Sequence, residues 1–468
     1  MLWTKNELLE SLFEELLEHN LSENLTIDEV VIDSRKTPKN GLFVAIKGEK
    51  NDGHEFVLQA LENGCKTLII QDKSVLTQTK NCEFILVKNS FAALYKLAQF
   101  SRNRSKAKII AITGSVGKTS TKEMLALAFA PYGKTFATSG NLNNHFGLPL
   151  CLANFSSDYD FGIFEIGMNH AAEIEPLSRL AKPHLAIITN VGPVHIENFI
   201  DEQAIALAKS EIFLGLEPQA IALINRDCVH FDFLKKRAEI CGIAAKNIVS
   251  FGKNSESDFC LESFKIEGFK QSEVFLSNDG KKISYQISSS NQSTIFNSII
   301  VAACLNLLTK NAEIGLKQLT KTQQNKGRGQ ILEITLNNKK ITIIDDTYNA
   351  SVLSMASGLE YAANLKTTLK KNRVIAALGD MLELGEKSVE LHDQVANYLI
   401  SFGIDFAILV GEKMTESAKK LPKNSYQTFL DSGVASFQIK DFLQDGDLLY
   451  IKGSRGIKME KIIENLIK

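Results

Sequence analysis

The feature that most constrains this chain is an apolar strand pattern that runs directly into a glycine-rich loop. Residues 109–112 are Ile-Ile-Ala-Ile, and helical spacing resumes after the loop at Met124 and Leu127. Loop N–H groups and a helix N-terminus attract phosphate, a lysine here reaches the β and γ oxygens, and a following hydroxyl can ligate magnesium. The pattern predicts a nucleotide-phosphate site formed by Gly114, Ser115, Val116, Gly117, Lys118, Thr119 and Ser120.

The loop is shorter than the usual phosphate-binding pattern. Six-residue spacing would place the first glycine at position 112, which is Ile112, so the match is to a TGSxGKT loop. The alternative is an ordinary strand, turn and helix without a ligand, which does not explain Gly-Lys-Thr at this point as well.

Other polar residues follow apolar strand patterns. Glu165 ends the run 161–165, and His195 lies on a Gly-Pro loop after the run 185–189. Parallel sheets bind ligands at the carboxyl ends of their strands, so Glu165 and His195 are candidate magnesium or phosphate ligands. Lys209 lies among alanines on a predicted helix, an unusual place for a solvated lysine. The competing interpretations are a capping carboxylate, a structural histidine and a surface lysine.

Length and composition indicate a globular protein of several domains. A chain of 468 residues with 44% hydrophobic residues can bury more than one core. Lys plus Arg (53) balances Asp plus Glu (54), which argues against nucleic acid as a partner. The seven cysteines show no CxxC pair, and neither a signal-peptide layout nor an apolar run of about 20 residues is present. We therefore expect a cytoplasmic protein with reduced thiols and no membrane insertion.

Strand and helix patterns alternate along most of the chain, which predicts an α/β protein with three domains. We expect a small N-terminal α/β domain over 1–87, a central parallel-sheet domain carrying the phosphate loop over 88–310, and a C-terminal Rossmann-like α/β domain over 311–468. Helical spacing predicts a first helix from Thr4 to about Leu17, and alternation within 251–293 predicts antiparallel hairpins added to the central sheet.

Several further motifs, in the same order along the chain, resemble the Mur ligase family. They are the phosphate loop at 114–120, the asparagine-rich segment 140–149, the segments around Glu165 and His195, and third-domain segments 344–350, 378–385 with His392, and 452–456. Segments 33–35, 41–45 and 52–54 resemble the uridine-nucleotide domain of the family. The resemblance covers nearly the whole chain and favours the branch that adds a dipeptide.

This resemblance implies an activity and a set of roles. The chain would be an ATP-dependent ligase joining D-alanyl-D-alanine to UDP-N-acetylmuramoyl-tripeptide, acting as a monomer. Magnesium would be held by Thr119, Glu165, His195 and Lys209, with Lys209 carbamylated by CO2 and Lys118, Glu165, His195 and Lys209 serving catalysis. ATP would also contact Asn297, Arg328 and Asp346. The other substrates would contact Ser34, Arg35, Asn141, Asn143, Asn144, Tyr348, Asn349 and Arg455. The third domain is expected to close over ATP, with hinges near residues 87 and 311.

The chain differs from the family pattern in places that concern the adenine side of the ATP site. The family often has His-Asn and a second Asn three residues on, where this chain has Phe296, Asn297 and Ile300. Asn-Ala-Asn-Pro becomes Asn-Ala-Ser351-Val352. The alternatives are a MurE-like or folylpolyglutamate synthase-like ligase, a simple ATPase, or a structural protein with a vestigial loop. The third domain lacks the Asp-Asn-Pro-Arg motif of the MurE branch.

Overall fold

The computed structural model describes residues 1–48, 51–79, 82–217, 219–267, 271–323 and 326–467. The N-terminal unit contains a sheet of order β2-β7-β6-β5-β4 and a short antiparallel pair, β1 with β3. Its strands are β1 (Trp3–Thr4), β2 (Leu16–His19), β3 (Thr26–Ile27), β4 (Glu29–Val31), β5 (Gly41–Val44), β6 (Thr67–Ile70) and β7 (Glu83–Val87). Its helices are α1 (Lys5–Ser11) and α2 (Val57–Glu62); α3 (Ser90–Arg104) follows the boundary predicted at residue 87, and its Ala93, Leu94 and Leu97 are buried in the same core.

The first helix is shorter than the sequence predicts. Thr4 caps it as expected, in a capping box with Glu7, but the helix ends at Ser11. Leu16 then begins β2, which pairs antiparallel with β7, and Leu17 is 57% exposed. The prediction of a helix to Leu17 is wrong because pairing with the sheet edge satisfies this backbone, and tertiary pairing overrides helical spacing.

The central unit is built on a sheet of order β16-β15-β14-β13-β12-β11-β8-β10-β9. Its strands are β8 (Lys108–Thr113), β9 (Thr135–Ala137), β10 (Phe161–Glu165), β11 (Leu185–Ile188), β12 (Ile221–Asn225), β13 (Ile248–Gly252), β14 (Phe259–Glu267), β15 (Gln271–Asn278) and β16 (Lys281–Ile287). Its helices are α4 (Lys118–Phe129), α5 (Gly147–Ala153), α6 (Ile174–Ala181), α7 (Glu202–Ser210), α8 (Phe231–Ile240), α9 (Gln292–Leu308) and α10 (Ala312–Leu316). Strands β8 to β14 pair parallel with their neighbours. Strands β14, β15 and β16 form the antiparallel hairpins that the sequence predicts.

Strand β8 lies between β10 and β11, at the point where the strand order reverses. Ligands bind at such a switch point, beyond the carboxyl ends of the strands. The phosphate loop after β8, Glu165 at the end of β10 and the His195 loop after β11 therefore meet at one edge.

Helix α10 extends the central unit past the sequence-based boundary at residue 311. Leu316 and Leu319 are buried in the same apolar core as α9, and the Gly315 N–H donates to the Tyr132 hydroxyl at 2.8 Å. The C-terminal unit has begun by Gly327, whose N–H donates to Asp345 Oδ2 at 2.9 Å and whose carbonyl accepts from the Tyr348 N–H at 2.9 Å. By packing, residues through Leu319 therefore belong to the central unit, because Leu316 and Leu319 are buried against its helices.

The C-terminal unit has a sheet of order β17-β18-β22-β19-β20-β21, antiparallel between β17 and β18 and parallel elsewhere. Its strands are β17 (Gln330–Leu336), β18 (Lys339–Asp346), β19 (Val374–Gly379), β20 (Phe406–Val410), β21 (Tyr426–Phe429) and β22 (Leu448–Lys452). Its helices are α11 (Val352–Thr368), α12 (Ser388–Ser401), α13 (Glu412–Ser417), α14 (Ser432–Gln438) and α15 (Glu460–Ile467). This arrangement is the doubly wound α/β fold that the alternating pattern predicts.

Contacts between the units position the site. The Trp3 indole donates to the Ala153 carbonyl at 3.0 Å, which joins the N-terminal unit to α5. The Ser290 and Tyr361 hydroxyls lie 2.8 Å apart, joining the central unit to α11. Within the part of the chain that the structure describes, helices long and apolar enough to span a bilayer are absent.

Candidate active site

The phosphate loop has the geometry that its glycines allow. Gly117 has φ +83° and precedes the first turn of α4, which begins at Lys118. The Lys118 ammonium donates to the Gly114 carbonyl at 2.5 Å. Burial lowers the pKa of Lys118, the nearby Glu165 carboxylate opposes that shift, and the Arg328 cation adds to it. The lysine is therefore held over its own loop, beside one acid and one further cation.

The loop leaves no room for side chains at its two glycines. A Cβ on Gly114 would lie 1.9 Å from Thr189 Oγ1, and a Cβ on Gly117 would lie 2.9 Å from Asn297 Oδ1. Asn297 on α9 is thus brought against the loop, as the sequence-based assignment to ATP requires. Thr189 holds the loop through its hydroxyl, which donates to the Val116 carbonyl at 2.5 Å.

Glu165 and Thr119 meet beside the loop. Glu165 is 3% exposed and accepts from the Thr119 hydroxyl at 2.9 Å and from the Asn143 amide at 2.8 Å. The Lys122 ammonium lies 4.0 Å from the same carboxylate and donates to the Gly140 carbonyl at 3.2 Å. Lys122 was not predicted as a site residue, although a position one helical turn after Lys118 indicates that its side chain faces the site.

The His195 loop is fastened to the phosphate loop. Ser115 Oγ donates to the Gly192 carbonyl and accepts from the Gly192 N–H, each at 3.0 Å. His195 Nδ1 contacts the Glu383 carboxylate of the C-terminal unit. Burial lowers the pKa of His195, Glu383 opposes that shift, and the Lys118 and Lys209 cations add to it. Glu383 was not predicted as a site residue, although it lies in the segment 378–385 that resembles the family.

Lys209 is a buried cation without compensation. It is 3% exposed on α7, and burial followed by the charge of Lys118 lowers its pKa well below the usual value. Across the described ranges its ammonium has neither a hydrogen-bond partner nor an ion-pair partner. An unpaired buried ammonium is costly, so the neutral amine is favoured at this position.

The C-terminal unit adds a second group of polar side chains. Asp346 at the end of β18 accepts from the Lys452 ammonium at 2.6 Å and from the Tyr450 hydroxyl at 3.0 Å. The Arg328 guanidinium lies 3.9 Å from the centre of the Tyr348 ring, and Arg455 lies 5.9 Å from it. Two arginines from separate segments are therefore brought together over one aromatic ring, which is itself a candidate site residue. Lys452 and Tyr450 were not predicted as partners of Asp346.

The donor set at the loop suits a hard cation that also binds phosphate. Among the described residues, no three His, Cys, Asp or Glu side chains cluster as a metal site. The hydroxyl of Thr119 and the carboxylate of Glu165, 2.9 Å apart, supply the oxygen donors that magnesium prefers. Magnesium is usually held by one or two protein groups plus substrate phosphates, so this pair fits the ion.

Comparison with known proteins assigns the family. Three family models match the chain. The model "Mur ligase family, catalytic domain" matches residues 26–103, and "Mur ligase middle domain" matches residues 112–305. The model "Mur ligase, glutamate ligase domain" matches residues 327–455. The chain belongs to the Mur ligase family. This confirms the resemblance that the motifs indicate.

Full-length relatives are named UDP-N-acetylmuramoyl-tripeptide--D-alanyl-D-alanine ligase. The protein from Rickettsia prowazekii is 36% identical over 95% of this chain and 96% of its own length. The Bacillus subtilis and Escherichia coli proteins are 31% and 30% identical, each over 95% of this chain and 94% of its own length. This Mur ligase therefore matches proteins with that name from end to end.

Solved structures agree with these relatives. MurF from Acinetobacter baumannii has a TM-score of 0.84 at 26% identity, covering 100% of this chain and 99% of that one. The MurF ligase from Thermotoga maritima in complex with ADP has a TM-score of 0.77 at 26% identity, covering 94% and 97%. The three-domain α/β fold predicted for this Mur ligase is thereby confirmed.

Residues predicted in the N-terminal unit lie apart from the phosphate loop. The Ser34 hydroxyl donates to the Gln59 side chain at 2.6 Å, and Arg35 pairs with Asp33 at 2.8 Å. The hydrogen bond from Arg35 lowers the pKa of Asp33 to about 2. The buried Ser34 and the exposed Arg35 are thus each bonded within the N-terminal unit of this Mur ligase.

The asparagine-rich segment divides its residues between the site and the backbone. Asn143 faces Glu165, whereas Asn144 Oδ1 accepts from the N–H groups of Phe146 and Gly147 at 3.2 and 2.9 Å, which opens α5. The Asn141 carbonyl accepts from the Asn143 N–H at 2.8 Å. Only Asn143 of the three has a side-chain contact with the phosphate-site residues described above.

The departures from the family pattern have local explanations. Phe296 lies 5.9 Å from the Phe251 ring, and Ile300 is fully buried in the core. Ser351 caps α11 in a capping box with Ser354. Asn349 Oδ1 accepts from the Ala350 N–H at 2.9 Å and so shapes the same turn. Apolar packing and helix capping replace polar groups at these positions.

Proposed function

We propose that this Mur ligase joins D-alanyl-D-alanine to UDP-N-acetylmuramoyl-tripeptide with hydrolysis of ATP, giving UDP-N-acetylmuramoyl-pentapeptide for peptidoglycan synthesis. The observation that carries this function is the end-to-end match to relatives bearing that name, 36% identical in one case. The phosphate loop, with Thr119 and Glu165 in contact beside it, supplies the chemistry that such a reaction needs.

ATP would lie between the central and C-terminal units. The N–H groups of the loop and the first turn of α4 would bind the phosphates, and Lys118 would move from the Gly114 carbonyl to a phosphate oxygen. Asn297 lies against the loop, and Arg328 lies close enough to Lys118 to lower its pKa. Asp346 would accept from the ribose in place of the Tyr450 hydroxyl.

We infer that magnesium is held by Thr119, Glu165, His195 and a carbamylated Lys209. When bound, the ion neutralises charge on the phosphoryl oxygens during transfer. Two observations support a shared site: Thr119 and Glu165 are in contact, and the Lys118 and Lys209 cations both lower the pKa of His195.

The surroundings of Lys209 favour carbamylation. Its lowered pKa increases the fraction of neutral amine, and only a neutral amine attacks CO2, forming an N–C bond and releasing one proton. The product is an anionic carbamate. This replaces a buried amine, which cannot remain charged beside Lys118, with an anion that Lys118 attracts.

The proposed reaction has two steps. The terminal carboxylate of the tripeptide would attack the γ-phosphorus of ATP, ADP would leave, and an acyl phosphate would form. The neutral dipeptide amine would then attack the acyl carbon, inorganic phosphate would leave with the electron pair of the C–O bond, and the nitrogen would lose one proton as the amide forms. Lys118 and Arg328 would stabilise charge on the transferring group, and positioning supplies most of the rate.

The other substrates would be held at the remaining candidate residues. Ser34 and Arg35 would contact the uridine nucleotide in the N-terminal unit. Asn141, Asn143 and Asn144 would contact the peptide beside Glu165, since Asn143 already reaches that carboxylate. Tyr348, Asn349 and Arg455 would contact the dipeptide, since Arg455 and Arg328 both lie over the Tyr348 ring and Asn349 follows it in the chain.

We further propose domain closure over ATP, which would keep water from the acyl phosphate. The domain boundaries at 87/88 and near 311 would serve as hinges, the second moved beyond Leu319, which is buried in the central core. Small-angle scattering profiles that coincide with and without ligands would contradict closure. A cytoplasmic monomer would accord with this scheme, and sedimentation velocity would test the monomer.

The deciding experiment measures phosphate release with ATP, magnesium and UDP-N-acetylmuramoyl-tripeptide, with and without D-alanyl-D-alanine. We expect release to require the dipeptide and the nucleotide product to gain the mass of the dipeptide less water. Release that ignores the dipeptide would indicate an ATPase. Release that requires a different amino acid would indicate a MurE-like or folylpolyglutamate synthase-like ligase.

A further inference from the structure

Two residues with left-handed backbone meet across the seam between the central and C-terminal units. His195 has φ +58° and Glu383 has φ +63°, and His195 Nδ1 contacts the Glu383 carboxylate. Neither residue is a glycine, so each of the two backbone conformations is strained. Strain of this kind persists only where the surrounding structure requires it.

The contact is part of a continuous seam. The Glu197 N–H donates to the Glu383 carbonyl at 3.4 Å, and a Cβ on Gly385 would lie 3.0 Å from Glu197 Cβ. A Cβ on Gly192 would lie 2.2 Å from Leu353. The His195 loop therefore touches the C-terminal unit through backbone and side chain.

Each side of the seam is fixed within its own unit. On the central side, Ser115 and Gly192 exchange two hydrogen bonds, so the His195 loop cannot move without the phosphate loop. On the other side, the Met381 N–H donates to the buried His392 ring at 3.0 Å. The Leu382 N–H donates to Ser454 Oγ at 3.0 Å, next to Arg455.

Stability does not account for this pair. The Glu383 side chain is 52% exposed, and ion pairs of that exposure add little to stability. Two non-glycine residues with left-handed backbone cost more than such a pair contributes. The arrangement is therefore better explained by the position that it gives to the imidazole than by the energy of the contact.

We propose that Glu383 is a positioning residue for His195. Its carboxylate accepts the Nδ1–H of the ring, which assigns the tautomer and leaves Nε2 as the nitrogen with a free lone pair. Because Glu383 belongs to the C-terminal unit and its turn is bonded to Ser454, the ring is oriented only when that unit is seated on the central one. Glu383 thus makes the orientation of the His195 ring, beside the phosphate loop, depend on contact between the C-terminal unit and the central unit.

The test compares Glu383→Ala and Glu383→Gln with Glu386→Ala, a control on the same exposed turn that loses the same charge. The kinetic part rests on the proposed function. We expect Glu383→Ala to lower kcat between about 10- and 100-fold while KM for ATP changes less than about twofold. Glu383→Gln, whose amide oxygen still accepts from Nδ1–H, should stay within about threefold of the unchanged protein, and so should Glu386→Ala.

Hydrogen exchange of the intact protein without substrates gives an independent measurement. Residues 194–199 should exchange at least about fivefold faster in Glu383→Ala than in Glu386→Ala, with the rest of the central unit unchanged. Equal exchange in these two variants, or equal loss of kcat, would overturn the proposal. If the unchanged protein made no pentapeptide, the proposed function would fail, and the exchange comparison would still decide whether Glu383 orders the His195 loop.

Discussion

Replacing Gly114 with alanine tests the close approach at the centre of the site. Gly114 has φ +148°, a conformation that residues with a Cβ rarely adopt, and the new Cβ would lie 1.9 Å from Thr189 Oγ1. Thr189 cannot move away from the new Cβ without losing the hydrogen bond that its hydroxyl donates to the Val116 carbonyl at 2.5 Å. Substitution therefore strains the backbone and separates the phosphate loop from β11.

The structure gives the size of this effect. Backbone strain of this type costs about 1–3 kcal/mol. Leaving the half-buried Val116 carbonyl or the buried Thr189 hydroxyl without its hydrogen-bond partner costs about 1–3 kcal/mol more. For a unit of roughly 200 residues, each kcal/mol lowers Tm by about 2–4 °C, so the expected decrease is on the order of 10 °C. ATP affinity should fall at least about tenfold, since the loop N–H groups move.

Calorimetric unfolding and ATP binding by titration calorimetry measure these quantities. Gly242→Ala is the matched control, because Gly242 has φ +89° and a Cβ there meets nothing within 4 Å. It isolates the backbone cost, about 1–2 kcal/mol, far from the loop. A Gly114→Ala protein that melts within about 2 °C of Gly242→Ala and binds ATP normally would refute the close packing described here.

Three further outcomes are expected. Removing CO2 should slow turnover, added bicarbonate should restore it, and Lys209→Met should be nearly inactive and insensitive to bicarbonate; equal sensitivity in both proteins would exclude carbamylation. Burial, with the Arg102 and Lys108 cations, lowers the pKa of His184 to about 4. Its Nδ1 accepts from the Ile109 N–H at 3.0 Å. Between pH 6.5 and 4 the unfolded chain therefore binds the extra proton, and acidification should lower the free energy of unfolding by about 1–2 kcal/mol after allowance for partial exposure. Chemical denaturation should show a flatter pH profile for His184→Gln. Because burial raises the pKa of Cys151 to about 11, it should resist iodoacetamide at pH 8 under conditions that label half-buried Cys82, as judged by peptide mass.

The parts of the site that lie close in sequence could be predicted from the residues. Glycines, lysine and hydroxyl within 114–120 form one strand-loop-helix unit, whose geometry depends on local backbone freedom. Glu165 and His195 could be added because parallel strands end at a common edge, and β8 lies between their two strands. Alternation of strands and helices likewise predicted the sheets and the hairpins.

Elements governed by tertiary contacts could not be predicted in the same way. Leu16 and Leu17 fit a helical period, yet the chain there pairs with β7, because an edge strand offers hydrogen bonds that a helix end does not. Leu316 and Leu319 lie beyond the domain boundary predicted near residue 311, yet they are buried with α9 in the core of the central unit. Periodicity identifies a buried face, and it does not say against which unit that face is buried.

The charge balance of the site explains the residues that sequence motifs omitted. Lys118, Lys209 and Arg328 lower the pKa of their neighbours, and motif matching treats each as a separate ligand. In the folded chain, Glu165 is also flanked by Lys122, and Asp346 is paired with Lys452. An excess of buried cations around the phosphate loop favours an anionic occupant, whether nucleotide phosphate or a carbamate. Because that excess arises from α4, α7 and the C-terminal unit together, it exists only after the units have assembled.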